Sequence, residues 1–411
     1  MNLKLTWLAR FSEKNNLDII RLLLFFFILL TFSLNLFYKL SLNGAYVQGL
    51  LVDYLIPKIY LTEFFLIPFL LLNLKQLGKI KLPTIFCFLS LLFLIRQLLS
   101  GSALAAFTQL IHLTEVLLFF RVIKNNALFK SKLGQKFTFA ALLSTVAFQS
   151  LLAIYQFIFQ KSLLAYQFFG ETNLHDLANI SRAQFSFGEK ILPYGSTAHP
   201  NILAGIVTVL SILLLQKSQN NKWLQLVLLA NALLVIFITQ SLSALLTLGL
   251  FGFYLFLERI KNKKILLALA YYFFLLFLPY LLSKMISTPM SSDSIQRRVN
   301  LNQAALEMFK ENTFLGVGIN NFTLVVEKYS GEISNREIVR FVQPVHNLLF
   351  LMLAEGGLLL LTLVWLLIRE FKIDKFYQKT LVLLALASLD HYLLSQFSGM
   401  SLLAIFYFLI V

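Results

Sequence analysis

The chain lacks what a water-soluble protein needs. Only 13% of its 411 residues are charged, against about 25% in ordinary soluble domains. Acidic residues number 19 and histidines five. There is one cysteine, Cys87. A single cysteine excludes a disulfide framework and a thiolate zinc centre. The scarcity of charge excludes a soluble enzyme and a disordered chain, because so much apolar surface cannot be hidden from water at this size. Long apolar runs with no two-residue alternation exclude a transmembrane barrel.

What is present is apolar. Hydrophobic residues make up 58% of the chain, with 42 phenylalanines, and mean hydropathy is +0.78. The class is a polytopic integral membrane protein, all-α. Twelve spans are expected, at about 19–38, 55–74, 82–99, 103–120, 137–159, 199–215, 223–239, 241–257, 265–282, 345–368, 380–396 and 399–411. The first follows a basic head and reads as a retained helix rather than a cleaved signal. No strong internal repeat is visible, which weighs against inverted-repeat transporters.

The net charge of +16 reads as topology, not as nucleic-acid binding. With the N-terminus cytoplasmic, 22 of the 35 basic residues fall on inner segments. The short loops 75–81 and 259–264 are almost purely basic, and short loops carry the most orientational weight. Both termini are therefore expected inside, with two long outer loops at 160–198 and 283–345 in one membrane domain spanning 1–411. Loops of that length are usually functional. The second is expected to hold an amphipathic helix over 294–312, with Ile295, Val299, Leu306 and Phe309 on one face.

Polar residues gather at the outer ends of two spans. One opens Gln343-Pro344-Val345-His346-Asn347, with Pro344 and His346 expected in the first helical turn. There the helix dipole favours an anion and a neutral imidazole, the state of a general base. A plain interfacial, capping histidine is the alternative. The other opens Tyr194-Gly195-Ser196-Thr197-Ala198-His199-Pro200-Asn201, where His199 reads equally as a cap, a core hydrogen bond or a ligand contact. Zinc held by His199, His346 and a carboxylate has no ligand spacing behind it. Arg297 and Arg298 suit bidentate phosphate contact, or simple solvation. Gly316-Val317-Gly318 and Asn320-Asn321 read as turn chemistry rather than a nucleotide loop. Glu63, Glu115, Glu355 and Asp390 lie inside expected spans, where ionisable groups suggest function by default. Had they lined one passage, transport of an anion or a lipid-linked sugar would follow.

Taken in order, Arg298, Ala304-Ala305-Leu306-Glu307-Met308, Phe314-Leu315-Gly316-Val317-Gly318, Asn321-Phe322, Val345-His346-Asn347-Leu348 and Glu355-Gly356-Gly357-Leu358 resemble the core of the O-antigen ligase and polymerase family. Tyr194 to Ser196 with His199 to Gly205 resembles its upstream motif, and Asp390-His391-Tyr392 a signature of some members. The resemblance covers about 180–400. It implies a GT-C-type glycosyltransferase that moves a glycan from undecaprenyl pyrophosphate to a glycan or lipid-glycan acceptor. The reaction is implied to be inverting, without metal or cofactor, at the outer face of the bacterial cytoplasmic membrane. By the same resemblance His346 and Arg298 are the catalytic pair, with Arg298 on the pyrophosphate. Arg297 takes that place if the register is shifted by one, and Arg340 and Arg182 are donor-binding candidates standing in for family arginines missing here. His199, Asn201, Asn347, Asn321, Gly316 and Gly318 are supporting. Two positions depart from the pattern: Leu242 and Pro193 stand where the family often has arginine.

Overall fold

A computed structural model describes residues 13–77, 84–163, 170–174, 180–218, 220–260, 264–274, 293–329, 342–371 and 376–409. The protein is mostly helical. Helices α1 (Glu13–Thr31), α2 (Leu61–Leu72), α3 (Thr84–Leu98), α4 (Ala103–Asn125), α5 (Lys132–Phe159), α6 (Pro200–Lys217), α7 (Lys222–Thr239), α8 (Leu242–Leu257) and α9 (Lys264–Tyr272) precede the long outer segment. After it come α10 (Asp293–Glu311), α11 (Phe322–Tyr329), α12 (Leu348–Phe371), α13 (Phe376–Leu389) and α14 (Phe397–Leu409). Five helices, α4 to α7 and α12, are each long and apolar enough to cross a membrane.

Every expected span contains a helix, but several boundaries differ. The expected span at 19–38 ends at Thr31, and Phe37–Lys39 instead forms a strand paired antiparallel with Lys58–Tyr60. The all-α expectation thus needs a small correction. Two further hairpins occur among the described residues, Tyr46–Val47 with Leu50–Leu51 and Arg182–Phe185 with Gly188–Ile191. They lie in polar connecting segments, where paired strands satisfy backbone groups that no helix reaches. The expected span at 380–396 is broken after Leu389, leaving Asp390 and His391 outside any helix.

α6 is the central post. Ile202 to Leu214 are buried without a gap, so this helix is apolar all round and enclosed by α5, α7, α8 and α14. Gly205 admits the ring of Tyr392, because a Cβ there would overlap its hydroxyl. The amphipathic helix α10 falls where expected, but its buried face is Leu301, Ala304, Ala305 and Met308. That set follows the i, i+3, i+4, i+7 pattern of a helix packed along one side. Leu306, assigned to that face from sequence, is exposed, and Phe309 is half-buried; the side chain of Ile295 lies outside the described residues. The true face uses alanines, which bring α10 close to α12.

The chain crosses back to one end of the bundle repeatedly. There Asn35 N–H donates to the Ser196 carbonyl (2.8 Å), Ser102 N–H to Asn321 Oδ1 (3.0 Å) and Tyr54 Oη to Glu355 Oε2 (3.0 Å).

Candidate functional site

Three chain breaks meet at that end, and each delivers a polar side chain; a fourth such side chain comes from within α10. α12 begins at Leu348 with Asn347 as its cap: Phe350 N–H donates to Asn347 Oδ1 at 3.0 Å. His346 therefore precedes the helix rather than sitting in its first turn, and Pro344 lies in the extended approach. The asparagine wins the cap because its side chain satisfies an otherwise unpaired N–H. His346 remains beside the positive end of the helix dipole. Asn347 Nδ2 also donates to the Ser388 carbonyl (3.2 Å), which ties the start of α12 to the end of α13.

That tie puts His346 beside Asp390. Its Nδ1 lies 3.9 Å from Asp390 Oδ1, within ion-pair range but beyond a hydrogen bond. His346 Nδ1 has no hydrogen-bond partner. The His346 and His391 rings are 5.3 Å apart. Asp390 Oδ1 accepts from His391 N–H (2.9 Å), and His391 Nδ1 meets Ser395 Oγ at 2.6 Å.

His199 caps α6 from the other side. Its Nδ1 accepts from Asn201 N–H (3.2 Å), and its Nε2 meets Ser181 Oγ at 3.3 Å. An accepting Nδ1 requires the proton on Nε2, so the cap selects the neutral tautomer. Asn201 enters through its backbone N–H. The charge of Arg298 on α10 is felt by His199 and interacts with Asp390. Arg298, His199, His346 and Asp390 thus share one mouth, beyond the ends of the membrane helices.

Electrostatics there favour an anionic Asp390 and lower the pKa of His199 and His391. Burial alone would raise the Asp390 pKa, but the facing His346 and the charges of His391 and His199 hold it well below the usual carboxylate range. Burial, aided by His346 and opposed by Asp390, pushes His391 down to about 3. His199 shifts the same way, chiefly by desolvation in a crowded mouth. Its ring still reaches solvent, which moderates the shift without reversing it. Burial also lowers the pKa of Arg298, with Asp390 opposing. A histidine held neutral in the fold binds fewer protons than in the unfolded chain. Its stabilisation is complete above the ordinary value of about 6.5 and is lost as pH falls. Amide protection of residues 388–396, corrected for intrinsic exchange, should drop between about pH 7 and pH 5. His391→Gln should remove that dependence; equal protection at both pH values in the parent protein would contradict the assignment.

The other sequence-derived residues divide. Arg297 lies next to Arg298 on α10 and is half-buried. Arg340 is outside the described residues. Arg182 stands on the exposed hairpin, 3.2 Å from Glu189 Oε2, in an ion pair instead of facing the mouth. Leu242 is exposed at the start of α8, and Pro193 is buried. Asn321 is structural: its Oδ1 accepts from Ser102 N–H, and its Nδ2 donates to the Ile319 carbonyl (2.8 Å). Gly316 and Gly318, at positive φ, dock the end of α10 against Glu355. Of the carboxylates weighed for a passage, Glu115 keeps a buried Oε2 without a hydrogen-bond partner, while Glu63 and Glu355 are tied to neighbouring groups. Glu63 completes a capping box with Tyr60, and Glu355 accepts from Phe322 N–H (3.0 Å) and Tyr54 Oη.

In the sequence Asp390 stands out as an acid inside an expected span and, with His391, as part of a family-like signature. The break after Leu389 gives them their place, and an apolar run with one acid in it does not announce that break. One ligand atom each from His346, Asp390 and His391 lies within 4.8 Å of the others. The set has the chemistry to hold a divalent ion, though the Arg298 guanidinium competes for the same carboxylate.

No curated protein matches the chain. Residues 225–365 match the family model described as O-antigen ligase. The matched stretch runs from α7 into α12, and carries both Arg298 and His346. The match covers about a third of the chain and supports an assignment of O-antigen ligase type; the five long apolar helices fit a multi-pass membrane protein.

Proposed function

We propose that the protein transfers a glycan from undecaprenyl pyrophosphate to the hydroxyl of a glycan or lipid-glycan acceptor. The observation that carries this reading is the meeting of Arg298, His346 and Asp390 at one mouth at the end of the bundle. A sugar pyrophosphate leaves with growing negative charge. A guanidinium beside a helix N-terminus stabilises that charge without a metal. His346 takes the acceptor proton as the new bond forms at the anomeric carbon, and Asp390 faces the imidazolium so produced. Attack opposite the leaving oxygen inverts the centre.

The setting suits a lipid-linked donor. An apolar cavity of about 300 Å³ lies between α4, α12, α13 and α14, lined by Leu348, Met352, Ala387 and Leu393 among others. It begins beside the residues that follow His346 and Asp390, so a polyprenyl tail would keep its pyrophosphate at the mouth. Twelve spans with both termini cytoplasmic put this mouth on the outer face of a bacterial cytoplasmic membrane, in a single domain. The basic residues Lys75, Lys132, Lys217, Lys222 and Arg369 sit at helix ends or connections that this arrangement assigns to the inner side.

The test is reconstitution of the full chain in liposomes with lipid-linked glycan and a candidate acceptor, the product read by mass. Transfer should proceed at an unchanged rate in excess chelator. Absence of product with every acceptor would remove the reading, and loss of product on chelation, restored by zinc, would replace the metal-free mechanism with one using the His346, Asp390 and His391 set.

A further inference from the structure

A second cavity, of about 200 Å³, opens beside His391. It lies between the Val52–Tyr60 segment, the first turns of α4, the approach to His346 and the turn after Asp390. Its chemistry differs from that of the mouth. Among the described residues arginine is absent from its lining, and its lysine, Lys58, is ion-paired with Asp53 at 2.5 Å. Its other polar side chains are four carboxamides, Gln109, Asn320, Gln343 and Gln396, with the hydroxyls of Thr108 and Ser395 and the rings of His112 and His391 beside them. The Gln343 and Gln396 side chains have no hydrogen-bond partner among the described residues. Asn320 is only 6% exposed, and its Oδ1 is buried without a partner. An unpaired buried acceptor is unfavourable unless a ligand or water meets it. Asn320 is also held at φ 55, a conformation asparagine tolerates better than most side chains.

We infer that this cavity binds a neutral, hydroxyl-rich sugar ring, the acceptor residue that meets the donor at His346. Carboxamides donate and accept at once, which matches hydroxyls and gives nothing to a pyrophosphate. Tyr54 and Tyr60 supply ring edges and faces for the apolar side of a sugar. The volume equals roughly six or seven waters at ~30 Å³ each, so it holds one ring and not a chain. The assignment to the acceptor rests on the transfer reading; the sugar site itself does not.

Photoreactive diazirine derivatives of glucose, galactose and glucuronic acid test it on the full chain in nanodiscs, with crosslinks mapped by mass. The neutral probes should label peptides covering 105–112 and 391–396, and glucuronic acid should label them several-fold less. Gln396→Trp, which fills the cavity, should cut labelling by about tenfold or more. His346→Ala should leave it unchanged, so labelling can persist even if transfer fails. Labelling elsewhere, equal labelling in Gln396→Trp, or preference for the uronate would overturn the sugar site. In the reconstituted reaction, Gln343→Ala should raise the acceptor KM and leave the donor KM alone. A rise in donor KM instead would assign the cavity to the donor glycan and overturn the inference.

Discussion

His346→Ala should lower glycan transfer by about 10²–10⁴-fold, the range for losing a positioned base, with the protein still inserted. Arg298→Ala should cost a further-independent factor of about 10²–10³ for lost leaving-group stabilisation. Arg298→Lys should rescue little of it, because a point charge does not reproduce the planar fork. Asp390 acts through His346, from which it stands 3.9 Å away. Asp390→Asn should therefore slow the parent enzyme and have no further effect in the His346→Ala background, the signature of two coupled groups. Reconstituted protein with lipid-linked glycan gives the rates of the parent and all five variants. Normal transfer by both His346→Ala and Arg298→Ala would end the proposed mechanism, and additive losses for Asp390 and His346 would give Asp390 a separate task.

The helices were legible because a bilayer imposes a plain rule: each crossing needs a long apolar run, and all expected spans hold a helix. The site was half legible. His199 and His346 stand out because histidine is scarce here and both adjoin helix starts. Arg298 could be singled out only through the family resemblance, since surface arginines are common. What sequence hid was the geometry of breaks. Asp390 interrupts an apolar run, and nothing local distinguishes an acid inside a helix from one beyond its end. The cap of α12 went to Asn347 rather than to the Pro344 turn because a side-chain acceptor satisfies the third N–H of the helix. The buried face of α10 was misread because hydrophobicity marked Leu306, while close packing on α12 selected Ala304 and Ala305. Tertiary approach, which depends on a distant helix, overrides local pattern there.

Gly357→Ala should be the most damaging of the small substitutions outside the site. Gly357 sits at φ 58 and ψ −158 inside α12 and interrupts its hydrogen-bond ladder. The freed groups are taken up by the segment that ends α10. Val317 N–H donates to Ala354 O (2.8 Å) and Gly318 N–H to Glu355 O (2.9 Å); Leu358 N–H donates to Thr313 O (2.8 Å) and Leu359 N–H to Phe314 O (3.0 Å). Gly316 fits against the Glu355 carbonyl, where any Cβ would overlap, and Arg96 Nε donates to the Gly316 carbonyl at 3.2 Å. This clasp fixes the helix carrying Arg298 to the helix that follows His346. An alanine at 357 would cost about 1–3 kcal/mol in this backbone region, which essentially only glycine adopts. Its Cβ would also lie 2.6 Å from the Phe314 carbonyl carbon, an overlap of the kind that costs a further ~1–3 kcal/mol. Gly252, on α8, is the control: nothing lies within 4 Å of a Cβ there, so Gly252→Ala should be neutral or stabilise by up to about 1 kcal/mol. Thermal unfolding of the detergent-purified variants compares them directly. Gly357→Ala should unfold well below the parent and lose transfer together with stability. Should it melt alongside Gly252→Ala, the backbone exchange between α10 and α12 would not be what holds Arg298 near His346.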